Sequence, residues 1–190
     1  VSAGIGKGTN APVAAGENSI AQGNYASAAG DNSVAFGFRT SSSAARSFSF
    51  GHYSQASGIN SFAAGRYSYA TAADSFAFGN GSNATQARSF AIGQYCYATA
   101  VNAFTAGYNS ANSGANSVSM GLNNDITNQY STAIGANNLI NQDACAAFGN
   151  ANNMQGPRSA AFGTSNGVFG INNFAGGASN VVRAAHSFAH

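Results

Sequence analysis

The chain has 190 residues, of which only 6% are charged, and its formal net charge is +2. Typical globular proteins carry about 25% charged residues, so this is not the make-up of an ordinary enzyme. Lys7 and Arg39, Arg46, Arg66, Arg88, Arg158 and Arg183 are scattered, which excludes the basic patch of a nucleic-acid binder. No apolar run reaches the roughly 18 residues of a spanning helix, so direct membrane insertion is not expected.

One feature dominates what remains. Glycine recurs at Gly23, Gly37, Gly51, Gly65, Gly79, Gly93, Gly107, Gly121, Gly135, Gly149, Gly163 and Gly177, always 14 residues apart. A fixed period decides architecture before local propensity does.

In chain order, residues 1–16 form an irregular first coil. The run Val1-Ser2-Ala3-Gly4-Ile5-Gly6 reads as a strand three residues out of register. The segment through Pro12, Ala14 and Gly16 is in register.

From residue 17 onward each period predicts two strands. The first is written Asn60-Ser61-Phe62-Ala63-Ala64-Gly65: a small polar residue, a strand former, a small residue, an often large residue, then the glycine. It alternates with period two, a β signal. The second follows the glycine, with small residues three, five and seven places on (Ser68, Ala70, Ala72) and larger or polar ones between (Tyr67, Tyr69, Thr71). Turns fall at Asn32, Arg46, Asn60, Asp74, Arg88, Asn102, Asn116, Arg158 and His186, where much of the charge gathers. Over 121–190 the coils become Asn-rich, as in Asn123-Asn124 and Asn137-Asn138. There Ile126, Ile140, Met154 and Val168 replace Ala, predicting a thicker interior.

The fold class expected is all-β: a parallel β-solenoid of 14-residue coils with two parallel sheets, one repeat domain spanning 1–190. About 13 coils at ~4.8 Å would give a rod roughly 60 Å long. Beginning at Val1 and ending one residue short of the next glycine, the chain reads as a fragment or processed product.

In the second sheet the Tyr, Gln and Thr face should meet water and the small face turn inward. In the first sheet the bulky face is expected inward, because Phe against Ala fills a sheet spacing near ~10 Å. Were it outward, 12 of the 14 Phe would form a patch far above the few hundred Å² a monomer usually exposes. Were the small face outward, its restriction to small residues would need a close neighbour. Either way the first sheet calls for a partner, and a symmetric homo-oligomer is expected.

Asn32-Ser33-Val34-Ala35-Phe36-Gly37, Asn60-Ser61-Phe62-Ala63-Ala64-Gly65 and Arg88-Ser89-Phe90-Ala91-Ile92-Gly93 resemble the Asn-Ser-Val-Ala-Ile-Gly repeat of YadA-like heads of trimeric autotransporter adhesins. The resemblance covers roughly 17–190. It implies a left-handed parallel β-roll, three rolls about one axis, on the outside of a Gram-negative cell. It also implies heads that bind extracellular matrix, host cells or one another; the partners expected are the chain itself, as a homotrimer, and a host matrix protein, glycan or cell surface. The chain departs from the family in its Phe and Tyr content. Similar repeats occur in phage tail fibres, so a structural rod of a tail fibre or extracellular filament is the alternative. An ice binder is a weaker one, because no two adjacent Thr columns run along the sheet.

Catalytic, metal and cofactor roles find no support. His52, His186 and His190 lie at corners or the terminus, away from a common set with Asp31, Asp74, Asp125, Asp143 and Glu17. Calcium solenoids repeat a Gly-Gly-x-Gly-x-Asp motif, whereas Asp here is sparse. Cys96 and Cys145 are 49 residues, or 3.5 periods, apart. That is roughly 17 Å at ~4.8 Å per coil, too far for a disulfide. The candidate binding residues are Tyr53, Tyr67, Tyr69, Tyr95 and Tyr97. They are expected on one outward face of the second sheet, where a flat ring with a polar tip suits a glycan or a protein.

Overall fold

A computed structural model describes residues 3–5 and 10–190. Those residues form an all-β parallel solenoid with two strands in each coil and no helix. The chain divides into two compact units, Val1–Tyr95 and Cys96–His190.

In the first unit the longer strands pair in sequence order, from Ala3–Ile5 through Phe62–Arg66 to Phe90–Gln94, all parallel. The two-residue strands, Val13–Ala14 to Asn83–Ala84, form a second parallel sheet. The second unit repeats the plan, with longer strands from Phe104–Tyr108 to Phe188–Ala189 and short ones from Tyr97–Ala98 to Val181–Val182.

Register follows the glycine period. Phe76 faces Phe90 and Gly79 faces Gly93. The exception is the first strand, where Ala3 faces Ile20 and Ile5 faces Gln22. That offset is three residues beyond the period, as the sequence predicts. Val1, Ser2 and Gly6 of that expected strand lie outside the described residues. Val13–Ala14 is already in register, with Ala14 facing Ala28.

The glycine is required twice over. Gly79 has φ +127°, a left-handed conformation that side chains rarely adopt, and a Cβ there would lie 1.8 Å from the Gly93 carbonyl oxygen. Coil stacking brings the backbone too close for any side chain.

The interior is built from small residues. Ser61, Ala63, Ser68 and Ala70 of one coil are all fully buried. The second sheet is oriented as expected, with Gln55 exposed and Ala56 buried. The first sheet is the reverse of the expectation: its bulky face points outward. Phe36 is 47% exposed and Phe78 51%, while Ala35 and Ala77 are fully buried. The reason is the gap between the sheets. Ser42 Oγ on a short strand donates directly to Ser49 Oγ on a long strand at 2.7 Å. A space bridged by two hydroxyls has no room for a phenyl ring.

The second unit has the thicker interior the sequence predicts. Ile126, Ile140, Met154 and Val168 are fully buried, and Asn124, Asn138, Asn152 and Asn166 stand beside them as a buried column. Each amide of this column bonds to the next across one coil.

Candidate functional site

Each coil turns two corners on residues with positive φ, seven positions apart. Asn60 (φ 58°) and Tyr67 (φ 54°) are one such pair. Asn tolerates this region, but Tyr and Arg enter it at a cost of roughly 1–2 kcal/mol. The corner two places past the glycine holds Tyr25, Arg39, Tyr53, Tyr67, Gly81 and Tyr95 in the first unit, all with positive φ. The backbone is held by the preceding coil: Tyr67 N–H donates to the His52 carbonyl at 3.0 Å and Tyr95 N–H to Asn80 at 2.9 Å.

The five predicted tyrosines therefore do not share one sheet face. Tyr53, Tyr67 and Tyr95 are corner residues, whereas Tyr69 and Tyr97 lie on the short strands. The corner rings run along the coil stack. Tyr53 and Tyr67 stack at 5.2 Å and 26°. Gly81 makes room for the next ring, since a Cβ there would lie 2.7 Å from Tyr95 Cδ1. Tyr69 faces Gln55 and Asn83 on the flanking short strands. Tyr67, Tyr95 and Tyr97 are between 36% and 41% exposed, so the rings remain available to a partner.

The corner also gathers cations that the sequence pattern does not single out. Arg39 lies 4.8 Å from the Tyr25 ring centroid and 5.4 Å from that of Tyr53. Its guanidinium is thereby set between rings of two other coils. His52 stacks on Phe38 at 5.1 Å and meets Tyr53 at 4.7 Å, edge to face. Arg66 lies over Tyr67 at 5.0 Å. A signal was present: the same column holds Asn109, Asn123 and Asn137 in later coils, which marks it as a corner rather than a strand.

The second notable surface is the outward face of the long strands. Phe62 and Phe76 stack at 4.8 Å and 7°, and Phe76 and Phe90 continue the ladder at 5.9 Å. In the second unit Phe148 and Phe162 stack at 4.9 Å, and Phe174 and Phe188 at 4.8 Å. Where Ala146 and Ala160 stand in place of the usual Phe, a groove of about 570 Å³ opens beside Arg158, Phe174 and His186. The ladders are worth about 0.5–1.5 kcal/mol per pair beyond their burial, but they leave much ring surface in water.

Both cysteines are buried free thiols, as the spacing predicts. The Cys145 sulfur faces the Gly156 and Asp143 carbonyls at 3.2 and 3.4 Å. Burial pushes both thiols above their ordinary pKa. They are part of the interior packing.

A family model for the YadA head domain repeat (2 copies) matches residues 14–40, 42–68 and 70–95. Each matched stretch spans close to two 14-residue coils, and together they lie in the first unit. The resemblance read from the Asn-Ser-x-Ala-x-Gly motif is thus shown in this part of the chain. No curated protein matches the sequence.

Proposed function

We propose that this chain is the head of an extracellular adhesin, a homotrimer that attaches to host matrix or cell surfaces through its outer face. The observation that carries the proposal is the outward Phe face. Phe36, Phe78 and Phe162, among others, are 42–51% exposed on the face that carries the ring ladders, a surface that a soluble protein covers. Copies of the same chain supply the cover: the surface is repetitive, carries no charge on the ladder positions, and self-association of identical strands is the economical symmetric solution. Self-association also agrees with the match to the YadA head repeat. In this reading the Phe face is spent on assembly, and the corners and short-strand sheet face outward.

The role is one of binding rather than catalysis, at the outside of the cell. The test has two parts. Light scattering after size exclusion should give three times the 19.0 kDa of one chain. The protein should then hold to surfaces coated with extracellular-matrix proteins or with host cells. Replacing Tyr67 and Tyr95 together by Ser should abolish that adhesion and leave the trimer intact. A soluble monomer would overturn the assembly. A trimer that holds to no such surface would instead favour the structural rod.

A further inference from the structure

The corner ridge of the first unit carries more than the fold asks for. In later coils the same position is filled by Asn109, Asn123 and Asn137, whose side-chain amides bond to one another along the stack, and then by Ala151, Ser165 and Ser179. In the first unit it holds Tyr25, Arg39, Tyr53, Tyr67, Gly81 and Tyr95, with His52 and Arg66 one place earlier at the ends of the long strands. Arg39, His52 and Arg66 are all exposed, and from Asn24 to Tyr95 no acidic residue occupies either of the two positions that follow the glycine. The acids of this unit sit at the other corner, six or five places before the glycine, as Glu17, Asp31 and Asp74. That corner has its own network: Arg46 Nε donates to Asn60 Oδ1 at 2.6 Å, and Asn60 Nδ2 donates to Asp74 Oδ1 at 2.9 Å. The two corners therefore differ in kind. One is internally neutralised. The other presents cations against rings with no carboxylate among them.

We infer that the ridge formed by Arg39, Tyr53, Arg66 and Tyr67 binds a carboxylated saccharide. A guanidinium stacked on a ring is held in one plane with its N–H edge free, the arrangement that pairs bidentately with a carboxylate. Tyr rings offer a flat apolar surface to the C–H face of a sugar and a hydroxyl to its rim. The positive groups are few and come at most one to a coil, so Arg39 and Arg66 are about 10 Å apart along the stack at ~4.8 Å per coil. That spacing suits one carboxylate on a sugar or one per disaccharide. A densely sulfated chain would need a denser run of cations. The inference rests on the adhesin reading and gives it a ligand class and a site.

The test is saturation-transfer NMR and calorimetry on the whole chain at low salt. The carboxylated probes are sialyllactose and a hyaluronan octasaccharide. Lactose, a heparin octasaccharide and poly-glutamate are the comparators. At least one carboxylated sugar should bind with a Kd of about 1 mM or tighter, and lactose should not. Arg39→Gln with Arg66→Gln should weaken that binding about tenfold or more, with oligomeric mass and thermal midpoint unchanged. Silence from both carboxylated sugars would overturn the inference. So would equal binding by the double variant, binding of heparin alone, or equal competition by poly-glutamate. The two readings fail separately. If the wild type adheres to coated surfaces and the double variant adheres equally, the ridge is not the site and the adhesin reading stands. If the wild type binds the sugar yet adheres to nothing, the ridge stands and the adhesin reading falls.

Discussion

Asn138 donates its backbone N–H and its side-chain amide to the same acceptor, Oδ1 of Asn124 one coil earlier, both at 3.0 Å. The amide also donates to the Gly149 carbonyl at 3.0 Å, and Asn138 Oδ1 accepts the N–H and amide of Asn152 at 3.1 and 3.0 Å. Each residue of the column thus holds both neighbours. In the first unit the equivalent position holds Ala26, Thr40, Ser54, Ser68 and Ser82, and the hydroxyls of Ser68 and Ser82 are buried without a hydrogen-bond partner. The second unit stabilises its interior with polar ladders as well as Ile and Met.

Asn138→Ala should therefore be costly. It leaves Asn124 Oδ1 short of one of its two donors and both the N–H and the amide of Asn152 short of an acceptor, and it opens a void. The expected loss is roughly 3 kcal/mol. For a chain of this size that lowers the thermal midpoint by about 6–12 °C. Melting followed by circular dichroism reads it. Ser68→Ala should cost far less, because its hydroxyl has no partner to lose. Equal shifts for the two variants would mean that the ladder does not carry the stability assigned to it.

The outward Phe face predicts an assembly defect. Phe78 is 51% exposed in the single chain, so Phe78→Asp has little effect on the fold of one copy. In a closed trimer it buries three like charges, each costing several kcal/mol without a partner. The expected outcome is a well-folded monomer by light scattering, with the strand signature of circular dichroism retained. A trimer that survives Phe78→Asp would move the interface off this face.

Much of this was legible in the sequence, and the exceptions have physical causes. Gly23 to Gly177 at constant spacing gave coil, register and strand pairing, even the three-residue slip at Ala3. The inward substitution of Ile126, Ile140, Met154 and Val168 was legible because the column alternates with a polar one. Orientation of the first sheet was not. Its two faces, Phe62 with Ala64 and Ser61 with Ala63, are both apolar or small, so alternation alone does not say which side meets water. The decision is made by the sheet gap, visible in the Ser42–Ser49 contact, which no local pattern encodes. The corner placement of Tyr53 was obscured for another reason. Tyr is a strand former by propensity, and here the positive φ is imposed by coil geometry and offset by ring stacking on Tyr67.

The buried thiols predict an alkaline loss of stability. Desolvation is the main cause that raises both, and for Cys145 the charge of Asp143 adds to it while backbone hydrogen bonds oppose it. The native state then holds the thiol proton more tightly than the unfolded chain, whose thiols titrate near the ordinary value of 9.0. This stability is complete below that pH and is lost as pH rises through the raised native values. The thermal midpoint should fall between neutral pH and about pH 10, and fall less in the Cys96→Ser, Cys145→Ser double variant. Native protein should also react slowly with a thiol reagent at mildly alkaline pH and yield two thiols per chain once denatured, matching the two free cysteines.

The most severe single change is expected at the repeat glycine. Gly79→Ala places a Cβ 1.8 Å from the Gly93 carbonyl oxygen at a φ of +127°. Backbone must move, because both atoms belong to the stacked strands that pair Gly79 with Gly93. Strain and lost ladder bonds together should cost about 3 kcal/mol or more. In a stacked repeat each coil contacts only its neighbours, so the damage should stay local. Hydrogen exchange should show lost protection over the strands Phe76–Asn80 and Phe90–Gln94, with protection kept in the second unit. Gly81→Ala offers the contrast. Its Cβ meets the Tyr95 ring rather than backbone, and a ring can swing away, so it should cost less and shift protection less. If Gly79→Ala is tolerated as well as Gly81→Ala, close backbone approach is not what holds glycine at every fourteenth position.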